Sequence, residues 1–387
     1  MGPGMITRAR QINLALAAAL IAAAVVSQAR NAPEHPRDGR PGPAAVRGFT
    51  LVAGGDVLPD STVLDRAGSD AGGAGYDFRP MLAGIRPLVS GADLALCHMR
   101  TVHDTAAPTG TYAFLSPPQV ADGLAATGYD SCSTASGHTL DDGADGVRRT
   151  LDALDHAGLR HTGSARGAAE ANAVTLLRAG GARVAHLAYT DGTNGLPLPP
   201  GQPWAVADAD PARVVADARA ARAAGADVVV VSLDWGTEWQ DQPDERQLSL
   251  ARQLTASRTG SRPDVDLILG TRSHVPQPYE KVNGTWVVYG TGDQVAGEMY
   301  DDRGVRDPRG DQGTLGRFTF SPPARHGGRW EVTKAEFTPL AFDLDAGRTV
   351  DLDAALKQGA GVGAVRDRIR EVVLARGAAR SGLTPTG

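Results

Sequence analysis

The chain has 387 residues, of which 42% are hydrophobic and 21% charged, which excludes bulk disorder and allows one large domain or two. The formal net charge is −5, and removing the two positive charges of Arg8 and Arg10 leaves −7 for the part that begins at Arg30. An acidic chain lacks the basic footprint that nucleic acids require, so we predict no nucleic-acid partner.

The N-terminal residues 1–29 have the pattern of a secretory leader. Two arginines precede an apolar run at 14–26, and small residues follow at 27 and 29. The run is short for a membrane span, which needs about 20 residues. We therefore predict a signal peptide, with an uncleaved membrane anchor as the alternative. Residues 30–47 are rich in Pro, Gly and Arg and are predicted to be a tether. The folded part is expected to be exported, to the cell envelope or beyond.

Cys97 and Cys132 are the two cysteines of the chain. Our first interpretation is a pair of buried free thiols, because free cysteine is often buried as a small apolar residue. A single disulfide is the alternative, since the predicted export would place the protein in an oxidising compartment.

The stretch 128–163 predicts a strand, a turn and a helix. A hydroxyl-rich run at 130–135 ends in Ser136-Gly137-His138, and a segment with apolar residues at helical spacing follows and stops at Gly158. Open α/β sheets bind ligands at the carboxyl ends of their strands. His138 is therefore a candidate site residue.

Four other predicted strands end in polar residues. The clearest is 227–233 (DVVVVSL), because a continuous β-branched run is typical of a parallel strand covered on both faces. Beyond residue 313 the pattern alternates between apolar and polar, as in half-buried antiparallel strands. The strands and the polar residues at their ends are 49–53 with Asp56, 92–99 with His98 and Arg100, 227–233 with Asp234, and 265–270 with Arg272 and His274.

Together these segments resemble the CapA family of capsule-biosynthesis proteins, named for poly-γ-glutamate. The matching motifs occur in the family's order across 48–350, and they are GDV at 55–57, ADLALCHM at 92–99, the central stretch, DWGTEW at 234–239 and HVPQP at 274–278. The resemblance implies a metallophosphatase-like α-β-β-α sandwich with mixed sheets, in which the C-terminal antiparallel strands complete the second sheet. Residues 351–387 would add a C-terminal helix and a tail.

The resemblance also implies a metal site. Asp56 matches an aspartate that ligates metal in the family, and His138 and His274 match family histidines. Asp234 stands where the family has a histidine, and a carboxylate there favours harder cations. We therefore predict Asp56, His138, Asp234 and His274 as ligands of one divalent ion (Mn²⁺, Mg²⁺ or Zn²⁺), with no metal as the alternative. His138 is also the candidate catalytic residue.

Other site positions depart from the family pattern. Family asparagines are replaced by Ser136 and Gly137, family histidines by Thr271 and Arg272, and a family glutamate by Arg100. One hypothesis is that the arginines replace the charge of a metal, pairing with Asp56 and Asp234 or binding an anion; the alternative is that both are solvated loop residues. The predicted anion- or substrate-binding residues are His98, Arg100, Arg272 and Asp293.

Three classes of function remain open at this point. The leading one is an exported protein that serves poly-γ-glutamate or glycan synthesis by binding or exporting an anionic polymer through a degenerate metallophosphatase-like site. The second is a metal-dependent hydrolase of phosphoester or amide bonds. The third is a non-catalytic scaffold that contacts polymer-synthase subunits. If the leader is uncleaved, the membrane is a further partner.

Overall fold

A computed structural model describes residues 47–104, 109–110, 114–301, 303–325 and 328–386. The predicted leader (1–29) and the predicted tether apart from Arg47 lie outside these residues. Within them, no helix combines the length and the apolar character that crossing a membrane would require.

Strands and helices alternate over the first two thirds of the chain, and strands dominate afterwards. The strands are β1 (Phe49–Leu58), β2 (Leu94–Met99), β3 (Val102–His103), β4 (Thr109–Gly110), β5 (Phe114–Ser116), β6 (Ser131–Ser133), β7 (Arg160–Thr162), β8 (Thr175–Ala179), β9 (Ala182–Thr190), β10 (Val228–Asp234), β11 (Arg258–Thr259), β12 (Arg262–Pro263), β13 (Leu267–Thr271), β14 (Tyr279–Val282), β15 (Thr285–Val288), β16 (Asp293–Ala296), β17 (Gln312–Ser321), β18 (Glu331–Asp343), β19 (Arg348–Asp351) and β20 (Leu383–Pro385). The helices are α1 (Ser61–Asp70), α2 (Arg86–Ser90), α3 (Gln119–Thr127), α4 (Gly143–His156), α5 (Ala168–Ala171), α6 (Pro211–Ala223), α7 (Glu245–Ala256), α8 (Leu352–Lys357) and α9 (Gly363–Leu374).

Two mixed sheets form the centre of the molecule. The larger has the order β19-β18-β17-β1-β2-β6-β7, with β16 beside β1 and β20 beside β18, and the smaller has the order β14-β15-β13-β10-β9-β8. Strand β1 is parallel to β2 and antiparallel to β17, so the larger sheet changes direction there. The predicted mixed sandwich is confirmed. One detail was wrong: the C-terminal strands complete the sheet that contains the first strand, because β17 pairs with β1.

The burial of β10 shows how the layers are built. All seven of its residues are buried. Because successive side chains of a strand point to opposite faces, Val228 and Val230 join the apolar layer between the sheets, whereas Val229 and Val231 pack in the layer beneath α6 and α7. A third apolar layer joins the other face of the larger sheet to α1, α3 and α4. This is the α-β-β-α arrangement.

Cys97 and Cys132 form a disulfide. They lie directly opposite each other on the paired strands β2 and β6, with their Cα atoms 4.4 Å apart. The free-thiol interpretation was therefore wrong. The alternative, a single disulfide, is confirmed. The sequence separation of 35 could not decide between the two, because the pairing depends on two parallel strands becoming neighbours in one register.

The C-terminal segment from α8 to β20 packs into the hydrophobic core of the sandwich. Leu352, Ile369, Val373 and Leu383 belong to the apolar layer between the sheets, and β20 adds a parallel strand beside β18.

One buried histidine links the two sheets. His186 on β9 is fully buried, and its ring nitrogens lie 2.9 Å from Ser131 Oγ of the larger sheet and 3.0 Å from Ser232 Oγ of the smaller. Burial, with a smaller contribution from His98, lowers the pKa of His186 to about 3. The imidazole is therefore neutral in the folded protein at pH values where an unfolded chain would protonate it.

We expect this histidine to make folding sensitive to acid. The pKa of His186 falls from 6.5 to about 3 on folding. The unfolded state therefore binds more protons below pH 6.5, and the free energy of unfolding decreases as the pH falls. For this one group the slope is about 1.4 kcal/mol per pH unit between roughly pH 6 and pH 4. Urea unfolding at several pH values should show a shallower slope for His186→Gln. The matched control is His156→Gln, at an exposed helix end; equal slopes for all three proteins would contradict the prediction.

Candidate functional site

Strand register brings the predicted site residues together. On the larger sheet, Asp56 of β1 lies opposite His98 of β2 on one side and Asp293 of β16 on the other. On the smaller sheet, Asp234 at the end of β10 lies opposite Thr271 of β13. The parallel strands of both sheets end at a shared rim, which is where α/β sheets bind ligands.

Arg100 occupies the centre of this rim, with none of its side chain exposed. Its Nη2 donates to Glu238 Oε1 at 2.7 Å, and its Nη1 donates to Asp56 Oδ2 at 3.3 Å. Its Nε lies 3.7 Å from Asp234 Oδ1. One guanidinium therefore faces three carboxylates from both sheets. The interpretation of Arg100 as a solvated loop residue was wrong, because the side chain lies inside the site.

Asp56 is held by several donors. His98 Nδ1 lies 2.5 Å from its Oδ1, and the backbone N–H of Arg272 donates to its Oδ2 at 3.2 Å. Burial alone would raise the pKa of Asp56, but the charges and hydrogen bonds of His98 and Arg100 outweigh it and leave the pKa below its usual value. Asp56 therefore stays ionised although it is fully buried.

His274 is fixed on three sides. Its Nδ1 lies 2.9 Å from Asp293 Oδ2, its Nε2 lies 2.8 Å from Arg100 Nη1, and its ring stacks on Trp239 with centroids 4.8 Å apart. Both His274 and Arg272 have positive φ, 59° and 84°, a conformation that non-glycine residues rarely adopt and that is found at functional turns.

The protonation of His274 follows from these contacts. Burial and the charge of Arg100 lower its pKa, but Asp293 and Glu238 outweigh them and raise it to about 9, which would leave the ring protonated at neutral pH. Arg100 Nη1 lies 2.8 Å from Nε2 and 3.2 Å from Nδ1, so it stands against the ring and not along the lone pair of one nitrogen. The ring donates from Nδ1 to Asp293 Oδ2. Burial raises the pKa of Asp293 to about 6, despite the opposing effect of His274.

Asp234 joins the rim to the central turn. Its Oδ2 accepts from Thr190 Oγ1 at 2.7 Å and from the backbone N–H of Gly137 at 3.1 Å. Arg272 Nη1 approaches the same oxygen at 3.5 Å. The side chain of Arg272 is 19% exposed. It is therefore closer to solvent than Arg100, and of the two arginines it is the one that a ligand can reach.

His138 lies on the neighbouring part of the rim. Its Nδ1 is 2.8 Å from Asp141 Oδ2, and its Nε2 is 3.4 Å from Asn194 Nδ2. A Cβ at Gly137 would lie 2.6 Å from Asn194 Oδ1, so glycine lets this amide approach without a shift of the Asn194 side chain. The family pattern has an asparagine at position 137, where this chain has glycine. Asn194, from the loop after β9, places an amide beside His138 instead.

Sequence analysis missed Asn194, Thr190 and Glu238. Glu238 carried a signal, because it is the glutamate of the DWGTEW motif. Asn194 carried none, since its position depends on how the loop after β9 folds over the central turn. Thr190 is the last residue of β9 and lies opposite Asp234 because β9 pairs with β10, which the sequence did not show.

Among the described residues, one group offers candidate metal ligands. Atoms of Asp56, His274 and Asp293 lie within 4.8 Å of one another. However, Arg100 Nη1 lies 2.8 Å from His274 Nε2 and 3.3 Å from Asp56 Oδ2. A guanidinium is permanently charged, cannot ligate a cation and repels one. In this arrangement the triad does not fit a divalent ion.

Two of the four predicted metal ligands, Asp56 and His274, belong to this triad, and Asp293 completes it. Asp234 faces a different nitrogen of the Arg100 guanidinium, Nε, at 3.7 Å. His138 makes its ring contacts with Asp141 and Asn194. Three of the four predicted ligands, Asp56, Asp234 and His274, therefore surround Arg100. The fourth, His138, does not contact Arg100 and lies on the neighbouring part of the site.

We predict that removing the Arg100 side chain strongly destabilises the fold. Arg100→Ala would leave the buried carboxylates of Asp56 and Asp234 without the cation that both face. Breaking a buried ion pair by removing one partner costs about 3–5 kcal/mol. Arg100→Lys should also destabilise, because one ammonium cannot reproduce the fork that reaches Glu238 and Asp56. The measurement is the free energy of unfolding in urea.

The matched control is Arg148→Ala. Arg148 pairs with Asp145 on α4, where the two side chains are 54% and 73% exposed. Such a pair contributes little to stability. A loss for Arg100→Ala no larger than that of the control would show that Arg100 does not hold the site together.

Comparison with known proteins identifies a matching protein family. The family described as "Bacterial capsule synthesis protein PGA_cap" matches residues 50–298, well over half of the chain. The chain is 30% identical over 165 residues to "PGA biosynthesis protein CapA" of Bacillus subtilis, which covers 42% of this chain and 41% of that protein. It is 28% identical over 183 residues to a "Probable polyglutamine synthesis accessory protein" of Mycobacterium tuberculosis, which covers 42% of this chain and 44% of that protein. The matches thus span about two fifths of the length of these relatives.

Similar solved structures include phosphoesterases. A phosphatase from Mycoplasma pneumoniae aligns with a TM-score of 0.45 at 13% identity, covering 76% of this chain and 94% of that one. The calcineurin-like phosphoesterase YfkN from Bacillus subtilis aligns with a TM-score of 0.40 at 15% identity, covering 84% and 99%. On the match across residues 50–298, the chain belongs to the bacterial capsule synthesis protein family PGA_cap.

Proposed function

We propose that this chain is an exported accessory protein that binds an anionic surface polymer, such as poly-γ-glutamate, without hydrolysing it. The family links the chain to capsule synthesis. The observation that carries the proposal is the buried guanidinium of Arg100, which faces Asp56, Asp234 and Glu238 and contacts His274. A fixed internal cation supplies the charge that balances these carboxylates, and it cannot activate water as a metal does.

Arg272 is the group that we expect to bind the polymer. Its guanidinium lies 3.5 Å from Asp234 and 4.0 Å from Glu238, distances longer than hydrogen bonds. Glu238 and Asp234 already receive closer partners, Arg100 Nη2 and Thr190 Oγ1. Arg272 can therefore exchange its loose contacts for a bidentate bond to a polymer carboxylate.

Polymer binding should depend on Arg272 and on salt. We expect the full chain to bind poly-γ-glutamate and Arg272→Ala to bind it about ten- to a hundredfold more weakly, because a charge-assisted hydrogen bond is lost. Binding should weaken as salt is raised. The measurement is a titration with size-defined poly-γ-glutamate, followed by calorimetry at two salt concentrations.

The matched control is Arg252→Ala, which removes one positive charge from an exposed position on α7. We expect it to bind as the wild type does. Equal losses for both variants would mean that the polymer senses overall charge and not this site. No binding by the wild type would overturn the proposal and favour the scaffold role.

The second candidate is a metal-dependent hydrolase. It is favoured by the triad of Asp56, His274 and Asp293, and by Asp293 Oδ1, a buried atom with no hydrogen bond among the described residues. It requires Arg100 to leave these groups when a cation binds. Release of glutamate from the polymer, or of phosphate from a phosphoester, that depends on added Mn²⁺ and is lost in His274→Ala would support it over the proposal above.

A further inference from the structure

A second candidate site is a cavity of about 350 Å³. None of its lining residues belongs to the site around Arg100. Parts of β7 of the larger sheet, β9 of the smaller sheet and α6 line it. Its volume falls in the range of about 300–1,000 Å³ that is typical of small-molecule sites. Nothing in the proposed function uses this cavity.

The charges that line the cavity are balanced. Three arginines face three carboxylates, and burial lowers the pKa of His161 despite the opposing effect of Asp155, so that ring is neutral. Most of these charges already pair with one another: Arg166 lies 2.8 Å from Asp155 and 2.5 Å from Glu170. The wall therefore carries no net charge, although Arg160, at its exposed edge, forms no ion pair with the described residues. The six charged residues are Arg160, Arg166, Arg213, Asp155, Glu170 and Asp217.

One donor in the cavity lacks an acceptor. The Nε1–H of Trp204 is buried and has no hydrogen-bond partner in the described part of the chain. A buried donor without a partner is costly, and a ligand oxygen would satisfy it. Nearby, Asp217 receives the Tyr189 hydroxyl at 2.9 Å on Oδ2, and no hydrogen bond to its Oδ1 is found among the described residues. The wall thus offers a donor and a carboxylate acceptor, and two aromatic residues, Tyr189 and Trp204, are among those that line it.

We propose that this cavity binds an uncharged sugar unit, with the Trp204 indole N–H donating to a ring or hydroxyl oxygen and the Asp217 carboxylate accepting from a hydroxyl. A sugar is the ligand class that matches these features, because it carries many hydroxyls, no net charge and an apolar face that packs on aromatic rings. The proposal is independent of polymer binding at the rim and adds a second kind of ligand to this chain.

The test uses the full chain and named uncharged sugars: glucose, galactose, N-acetylglucosamine and cellobiose. Saturation-transfer NMR detects which of them bind, and calorimetry gives their affinities. Neither method relies on tryptophan fluorescence, which a Trp204 variant would change in any case. We expect at least one sugar to bind saturably, and glutamate and inorganic phosphate not to compete with it.

The variants place the binding in the cavity. Trp204→Phe keeps an aromatic face and removes the N–H, and Asp217→Asn removes the charged acceptor, so each should weaken sugar binding about three- to tenfold. The matched control, Asp345→Asn, changes an exposed aspartate in the β18–β19 turn and should bind as the wild type does. No binding of any of the four sugars, unchanged affinity in Trp204→Phe, or competition by glutamate or phosphate would each overturn the proposal. Arg272→Ala should bind the sugar normally, which separates this site from the rim.

Discussion

The candidate site depends on neutralising several carboxylates that have been taken out of water. Asp56 and Asp234 are almost completely buried, and an isolated buried carboxylate would be very costly. Arg100 offsets this cost because its planar fork reaches Asp56, Asp234 and Glu238 at once. Lysine could not do so with a single ammonium. The positions of His98, His274 and Arg272 then follow, since each contacts Arg100 or one of its carboxylate partners.

The fold supplies the precision that such a charge network needs. Asp56 lies opposite both His98 and Asp293 because β1 pairs with β2 and β16, and the disulfide between Cys97 and Cys132 joins β2 to β6 next to His98. The rim is therefore built on strands and not only on loops, and its side chains are held by sheet register. Positive φ occurs at Arg272 and His274 in the turn after β13, and also at Trp239 and Asn194 in the loops that contact them or His138.

Sequence patterns predicted the layers of the fold well. The β-branched run of β10 and the ordered CapA-like motifs pointed to buried strands whose ends meet at one rim, and the structure confirms the sandwich. The patterns could not show that Arg100 points inward, because an arginine after a strand looks the same whether it is solvated or buried. They could not supply Asn194, nor decide between free thiols and the disulfide, since both depend on which distant segments become neighbours.

The central claim is that Arg100 stands in place of a metal. The most direct measurement is the metal content of the full chain, by plasma mass spectrometry, after incubation with Mn²⁺ and Zn²⁺ and desalting, beside that of Arg100→Glu. Our account predicts no stoichiometric metal in the wild type, and a gain in the variant if it folds, because a carboxylate replaces the repelling cation. One or more equivalents of metal bound to the wild type would contradict the account and favour a metal-dependent hydrolase.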